Sequence, residues 1–195
     1  AKILVIKDGK TIKELDNQEF NTYKLQDGES FDFDQFKDAA FFRKTSIPIP
    51  QTIKRIKRML QNLDVRGSKV VFLTARADFD DKHEFLQTFR DHGIDIDKMY
   101  VERAGNLTSG TTAGKKEQVV MKYLSSGKYR RVRLLDDDIT NIKTFMKIAD
   151  KLPQGIINKV KDNHNISDNE NFPVISFYGL LVKTDGKLKR IGGNE

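Results

Sequence analysis

Residues 69–76 read KVVFLTAR, and this stretch decides the fold that the sequence predicts. Residues 70–73 are four consecutive apolar residues, and a glycine-containing loop precedes them. An apolar run of this length without alternation is typical of a strand buried on both faces, as in a parallel sheet. The sequence therefore predicts a β-strand in the interior of an α/β protein.

Helical and strand patterns alternate on either side of this strand. Upstream, apolar residues recur at three- and four-residue steps from Ile53 to Leu63, which predicts a helix that begins near Pro50. Downstream, the patterns predict helices and strands in alternation: a helix at 80–92, a strand at 98–102, a helix from Thr111 or Thr112 to Leu124, a strand at 132–135, a helix carrying Ile142 and Phe145, and a strand at 174–182. Such alternation predicts βαβ crossovers and a Rossmann-like, three-layer parallel sheet with helices on both faces.

Both ends of the chain have hairpin patterns. Residues 2–15 place an Asp8-Gly9 pair between apolar positions, which predicts a β-hairpin with a two-residue turn. Residues 184–186 predict a second hairpin turn before a short strand at 188–191. Between these, the chain at 16–46 has an irregular, partly helical pattern.

We expect one domain over the 195 residues. Its parts are a hairpin flap and irregular connection at 1–47, an α/β core at 48–182, and a hairpin tail at 183–195. Within the core, the polar stretch 159–171 predicts an exposed loop.

Composition excludes several classes of protein. There is no Cys, which excludes a disulfide scaffold, a zinc-thiolate site, an iron–sulfur cluster and a thiol nucleophile. No apolar run approaches the roughly 20 residues of a membrane helix, so we expect no membrane partner. The net charge of +7 fits either a polyanionic partner or ordinary solubility charge. The basic clusters at 54–58 and 128–133 have the same two interpretations: solvated faces or contacts to nucleic acid.

The ends of the predicted strands carry polar residues suited to phosphate. Thr74, Ala75 and Arg76 follow the strand at 70–73, where a hydroxyl and backbone N–H groups can bind phosphate oxygens. The alternative is a threonine that only closes its own turn. Lys115 and Lys116 stand at a helix start, where the dipole disfavours lysine. A phosphate ligand would explain Lys116, which shares a helix face with apolar residues, and a solvated basic pair is the alternative.

Three consecutive carboxylates, Asp136, Asp137 and Asp138, follow the strand at 132–135. Carboxylates this close repel one another, and a hard cation relieves the repulsion; beside phosphate that cation is usually Mg²⁺. Helix capping is the alternative, and it accounts for Asp138 but not for the triplet. The sequence therefore predicts a Mg²⁺ site at Asp136 and Asp137.

Together these motifs resemble those of haloacid dehalogenase-like (HAD) phosphohydrolases. The matching segments are VVFLTAR at 70–76, AGKK at 113–116 and VRLLDDDITN at 132–141, and residues 72–106 look like HAD-like proteins of tailed bacteriophages. The resemblance covers about 48–182 and implies Mg²⁺-dependent phosphoryl transfer through an aspartyl-phosphate. It implies that Thr74 binds the phosphoryl group, that Lys116 neutralises it, and that Asp136 and Asp137 hold Mg²⁺.

The nucleophile motif of the family is where this chain departs from the pattern. The family uses the first Asp of a D-x-D motif that ends the central strand. Asp32 and Asp34 have this spelling, but the preceding residues 26–30 do not resemble a buried strand. In the family a hairpin flap follows the D-x-D strand directly, and residues 2–15 resemble that flap. We therefore expect the nucleophile strand upstream of Ala1, with Asp32 and Asp34 as the weaker alternative.

Three functions follow from these patterns. The first is a phosphohydrolase acting on a phosphorylated small molecule or a nucleic-acid end, located in the cytoplasm, which is the host cytoplasm if a phage encodes the chain. The second is a catalytically inactive module that binds virion proteins, as a phage virion component. The third is a basic nucleic-acid-binding protein, and this rests on charge alone.

Overall fold

The computed structural model describes residues 2–63, 67–167 and 172–193, which form an α/β structure with three small sheets. The strands are β1 Ile3–Lys7, β2 Lys10–Leu15, β3 Glu29–Asp32, β4 Val71–Thr74, β5 Tyr100–Arg103, β6 Arg131–Asp136, β7 Ser176–Val182 and β8 Leu188–Gly193. The α-helices are α1 Asn17–Thr22, α2 Asp34–Lys37, α3 Ala39–Thr45, α4 Pro50–Gln61, α5 Lys82–Asp91, α6 Thr112–Leu124, α7 Ile139–Met146 and α8 Gln154–His164. Single turns of 3₁₀-helix lie at Ile96–Lys98, Ala104–Asn106 and Ala149–Lys151.

The N-terminal sheet is antiparallel, with the strand order β2-β1-β3. Its predicted hairpin is confirmed: Asp8 and Gly9 both have positive φ, at 50° and 72°, as a two-residue turn requires. Strand β3 lies in the stretch that we expected to be irregular. The strand is short and largely polar, so its sequence gives little indication of a strand. Phe31 is its one apolar residue, and it packs beside Ile3 and Val5.

The middle sheet consists of β4 and β5, which run parallel with Val71 opposite Tyr100 and Thr74 opposite Arg103. Helices α3 and α5 contact each other beside this sheet. Phenylalanines fill the space between them, and Phe79 stacks on Phe85 with ring centroids 4.2 Å apart. This aromatic cluster also includes Phe42, Phe72 and Phe89.

The C-terminal sheet has the order β6-β7-β8, with β6 and β7 parallel and β8 antiparallel to β7. Helix α7 packs on β7 at Gly179, where an added Cβ would lie 2.5 Å from Ile142 Cγ2. A glycine at position 179 is therefore needed for the close approach of helix and sheet. Phe177, Phe145 and neighbouring side chains form the largest buried cluster in the described part of the chain.

The prediction of a loop at 159–171 is wrong for the first half of that stretch. Helix α8 runs to His164, and Asn165 ends it in the left-handed conformation at φ 52°. The helix buries Val160 and exposes its polar face. Because most residues of this stretch are polar, its sequence does not show the helical period of the buried face. Residues 168–171 lie outside the described part of the chain.

The remaining predicted helices and strands are confirmed with shifts of one to three residues at their ends. The parallel pairing is confirmed for β4 with β5 and for β6 with β7, but the described residues do not join these two pairs into one sheet. Among those residues, no helix has the length and apolar character to cross a membrane.

Candidate functional site

A largely buried ion pair lies at the carboxyl end of β6. The Lys116 Nζ donates to Asp136 Oδ2 over 2.6 Å, and the two side chains are 13% and 6% exposed. Lys116 comes from the second turn of α6, whose start is fixed by Thr111, because the Thr111 hydroxyl accepts a hydrogen bond from Gly114 N. Lys116, which shares a helix face with apolar residues, therefore points toward the end of β6.

The second oxygen of Asp136 is also held. Oδ1 accepts from Asn141 Nδ2 and from the backbone N–H of Asp138, each over 3.0 Å. Asn141 is itself buried, in the first turn of α7. Three donors therefore fix the Asp136 carboxylate, and a carboxylate has about four acceptor positions, so one position is left for a ligand.

The aspartate triplet is divided between different roles. Asp138 caps α7, because its Oδ1 accepts from Thr140 N over 2.7 Å. Asp137 is exposed between its two neighbours. The predicted cap is confirmed, and Asp136 and Asp137 remain the pair of carboxylates at the strand end.

Helix α6 is anchored to β5 by a second polar group. Tyr123 Oη donates to Glu102 Oε1 over 2.6 Å, and Lys122 Nζ donates to the same oxygen over 2.8 Å. Burial and this hydrogen bond raise the pKa of Tyr123. Burial raises the pKa of Glu102, but the hydrogen bonds from Lys122 and Tyr123 outweigh it and leave that pKa below its ordinary value. This network holds the helix that delivers Lys116.

The end of β4 is different. Thr74 Oγ1 accepts from the backbone N–H of Arg76 over 3.2 Å, so this hydroxyl closes its own turn. The Arg76 guanidinium lies over the rings of Phe36, Phe42 and Phe79, at 4.5, 5.0 and 5.6 Å from their centroids. Burial lowers the pKa of Arg76. The structure thus places the Arg76 side chain among aromatic rings.

Ala75 is exposed in the same loop, and Gly105 packs against its backbone. A Cβ on Gly105 would lie 2.3 Å from Ala77 N and 2.6 Å from Ala75 O. The loop after β4 therefore depends on a glycine at position 105. Lys115 is half-buried and precedes Lys116 on α6.

Asp32 and Asp34 are used locally. Asp32 Oδ1 accepts from Asp34 N over 2.7 Å, and the exposed Asp34 carboxylate lies 3.8 Å from Lys37 Nζ. Asp32 ends an antiparallel strand, β3, opposite Leu4 of β1. No contact that the structure records for these two aspartates reaches Lys116 or Asp136.

A groove of about 1340 Å³ lies between β4 and β6. Its walls include Val71 and Leu73 from β4 and Leu135 and Asp136 from β6, and Met59 of α4 also lines it. Asp136, the last residue of β6, therefore lies at one end of the groove, and Lys116 contacts it from α6. The groove and the buried Asn141 were not predicted. Asn141 carries one usable signal, its place in the first turn of a helix that an aspartate triplet precedes.

The donor set is compatible with Mg²⁺ but does not form a complete site. Mg²⁺ is commonly held by one or two carboxylates, with water and phosphate oxygens filling its other positions. Asp136 and Asp137 could supply two carboxylates. Within the described ranges, no group of three or more His, Cys, Asp or Glu side chains is placed to hold a metal ion.

Comparisons of the chain with protein-family models, curated proteins and solved structures find no match.

Proposed function

We propose that this chain is a HAD-like phosphohydrolase domain, and that its α/β core at 48–182 has the three-layer, Rossmann-like arrangement of that family. The observation that carries the proposal is the buried Lys116–Asp136 pair with Asn141 at the carboxyl end of β6. In open α/β sheets, ligands bind outside the carboxyl ends of strands. A largely buried lysine there supplies positive charge where a phosphate ester would bind.

In this proposal the residues of the chain have separate tasks. Lys116 offsets the charge of the phosphate, and Asp136 holds the ammonium group in place. Asn141 and the Asp138 N–H fix the Asp136 carboxylate so that it does not rotate away. The Thr74 hydroxyl, which accepts from Arg76 N and still has its own proton to donate, and the backbone N–H of Ala75 would bind phosphate oxygens from the opposite side of the groove, with Lys115 adding positive charge. Mg²⁺ bound at Asp136 and Asp137 would neutralise further charge on the phosphate.

The substrate class is a phosphate ester of a small molecule or of a nucleic-acid end. Titration calorimetry with inorganic phosphate in the presence of Mg²⁺ tests this. We expect binding by the chain, and at least about ten-fold weaker binding by Lys116→Met, because the methionine keeps the length of the side chain and removes its charge. Lys122→Met is the matched control on the same helix, since Lys122 pairs with Glu102 on the surface. Equal phosphate affinity of the two variants would contradict the proposal.

A catalytically inactive module is the second candidate, and the placement of Asp32 and Asp34 favours it. Both aspartates make local contacts in the N-terminal sheet and in α2. We therefore expect the 195-residue chain alone to turn over an aryl phosphate slowly or not at all. Rapid hydrolysis that is abolished by Asp32→Asn would overturn this expectation and assign the nucleophile to Asp32.

Nucleic-acid binding is the third candidate, and three contacts to one aromatic ring support it. The guanidiniums of Arg131, Arg133 and Arg190 lie 5.4–5.7 Å from the centroid of the Tyr178 ring. Three positive charges around one aromatic ring suit a polyanion with stacking bases. Binding to a polynucleotide that falls steeply with salt would support this function.

A further inference from the structure

A second pocket, of about 650 Å³, lies on the side of α4 that faces away from the groove. Its apolar part consists of Pro48, Pro50 and Ile53. Its charged part is basic: of the described residues that line it, none is an aspartate or glutamate, and the titratable ones are Lys54, Lys57, Arg58 and His92. We call these residues the basic pocket. A pocket with this lining suits an apolar side chain flanked by carboxylates.

The cations of the basic pocket lack carboxylate partners in the described part of the chain. No ion pair described there includes Lys54, Lys57 or Arg58, whereas the one arginine in each of α3 and α5 binds an aspartate. Lys54 lies four residues before Arg58, and like charges at this spacing destabilise a helix. A Cβ on Gly93 would lie 2.8 Å from Lys57 Nζ, so the glycine leaves room for this lysine at the end of α5. A negatively charged partner would offset the repulsion between these cations.

Exposed apolar surface continues from the basic pocket. Ile47, which precedes Pro48, is 89% exposed, and no other large hydrophobic side chain among the described residues is as exposed. Pro48 and Pro50 are exposed as well. An apolar patch that is bordered by charged residues is typical of a surface that contacts another protein. We therefore expect a protein surface to cover this part of α4.

The same chain presents an acidic surface with an exposed aromatic side chain. Residues 14–38 contain eight acidic and two basic residues. Among them, Phe33 is 40% exposed between Asp32 and Asp34, and its ring contacts three neighbouring phenylalanines that hold it in place. The Asp34 side chain is 85% exposed, and its ion pair within α2 is long, at 3.8 Å. We call residues 32–34 the acidic knob, since they combine the apolar and acidic groups that the basic pocket suits.

The acidic knob and the basic pocket lie at opposite ends of the α3–α5 pair. At one end, Ala39 N donates to Asp80 Oδ1 over 2.9 Å, so the start of α3, which follows the knob, lies beside the start of α5. At the other end, Arg43 Nε donates to Asp91 Oδ2 over 2.7 Å, and the pocket residue His92 comes next in the chain. One copy of the chain can therefore receive a knob in its pocket while its own knob remains exposed.

We propose that the chain associates with a second copy of itself, and that the acidic knob of one copy enters the basic pocket of the other. Phe33 contacts the apolar residues of the pocket, and Asp34 pairs with Lys54. The contact joins two different surfaces, so it is heterologous and leaves each copy able to bind another. The inference goes beyond the proposed function, because neither surface contains Lys116 or Asp136. It gives the D-x-D sequence of the knob a role in association.

Sedimentation velocity of the 195-residue chain tests the proposal. Contacts of this small size are weak, so we expect the sedimentation coefficient to rise between about 10 and 500 μM in low salt. Asp34→Lys and Lys54→Glu each bring like charges together, and each should weaken association at least about ten-fold. The double variant Asp34→Lys/Lys54→Glu restores an opposite pair at the net charge of the parent chain. It should associate at least about three-fold more tightly than either single variant.

Asp162→Lys is the matched control. Asp162 is exposed on α8, and its substitution changes the net charge by the same amount as Asp34→Lys. This variant should associate within about two-fold of the parent chain, because long-range repulsion is screened by salt. Thermal unfolding checks that every variant is folded, and we expect Tm values within about 2 °C of the parent chain.

Several outcomes would overturn the proposal. These are a chain that stays monomeric up to about 500 μM, equal weakening by Asp34→Lys and Asp162→Lys, or a double variant that associates no more tightly than the single variants. If the chain is monomeric but polyglutamate or a single-stranded oligonucleotide binds it, and Lys54→Glu abolishes that binding, the basic pocket has a different partner and the proposal is wrong. None of these variants changes Lys116 or Asp136. Failure of the phosphate titration therefore leaves the association unaffected, and a monomeric chain leaves the phosphate titration unaffected.

Discussion

The ends of β4 and β6 have similar polar sequences but are built in opposite ways. After β6, the Asp136 carboxylate receives donors from Lys116, Asn141 and the Asp138 backbone. After β4, the Thr74 hydroxyl accepts a hydrogen bond from Arg76 N within the same turn, and the Arg76 side chain packs among aromatic rings. One strand end is therefore organised around a buried charge pair, and the other around packing.

The difference shows when a polar motif at the end of a strand indicates a binding site. A polar residue at a strand end serves a ligand only if its hydrogen-bonding groups remain directed toward the edge of the sheet. Lys116 meets this condition because α6 carries it over the end of β6. Arg76 does not, because Phe36 and Phe42 lie close enough to attract its guanidinium.

The largest effect is expected from Asp136→Ala. Removing this carboxylate leaves the Lys116 ammonium buried without its partner, and breaking such a pair costs about 3–5 kcal/mol. Urea unfolding measures the loss. Asp97→Ala is the matched control, because Asp97 pairs with Arg90 at the surface, and a much smaller loss is expected there. A loss for Asp136→Ala no larger than for Asp97→Ala would show that the β6 end is not organised by its charge pair.

The next effect is expected from Arg76→Met. The methionine keeps much of the packing against Phe36, Phe42 and Phe79 but removes the cation, so we expect a loss of about 1–2 kcal/mol in thermal unfolding. Arg58→Met, on the exposed face of α4, is the control and should change stability by less than about 0.5 kcal/mol. Equal stability of the two variants would mean that the aromatic rings do not hold Arg76, and the contrast between the strand ends would fail.

The sequence predicts the end of β6 better than the end of β4. The alternating patterns give α4, β4, α5, β6 and α7, because each presents a clear apolar stripe or run. The cap at Asp138 and the orientation of Lys116 follow from local rules of helix geometry. These local rules reach a few residues along the chain and no further.

What the sequence misses depends on distant contacts. Arg76 lies over Phe36, which is 40 residues away, and nothing near Arg76 indicates this. Strand β3 forms only because β1 offers it an edge. The separation of the two parallel pairs follows from which strands meet in space, and an apolar pattern carries no information about that.

A smaller effect is expected from Asp138→Ala. The variant removes the acceptor for Thr140 N, and loss of such a cap costs about 1 kcal/mol. Asp138→Asn should be nearly neutral, because asparagine is an equally good cap. Urea unfolding of both variants separates capping from charge. If Asp138→Asn costs as much as Asp138→Ala, the negative charge at this position matters, and the triplet acts as a unit.

The smallest effect on stability is expected from Asp137→Asn, since Asp137 is exposed. Without Mg²⁺ the variant should unfold at the same temperature as the parent chain. If Asp137 is a Mg²⁺ ligand as proposed, Mg²⁺ stabilises the parent chain by about 2.7 kcal/mol at one hundred times its Kd, and the variant loses most of this gain. Asp27→Asn, an exposed aspartate before β3, is the control and should keep the full gain. Equal stabilisation of all three proteins would show that Asp137 does not bind Mg²⁺, and the charged groups proposed to act on phosphate at the end of β6 would then be Lys115, Lys116 and Asp136.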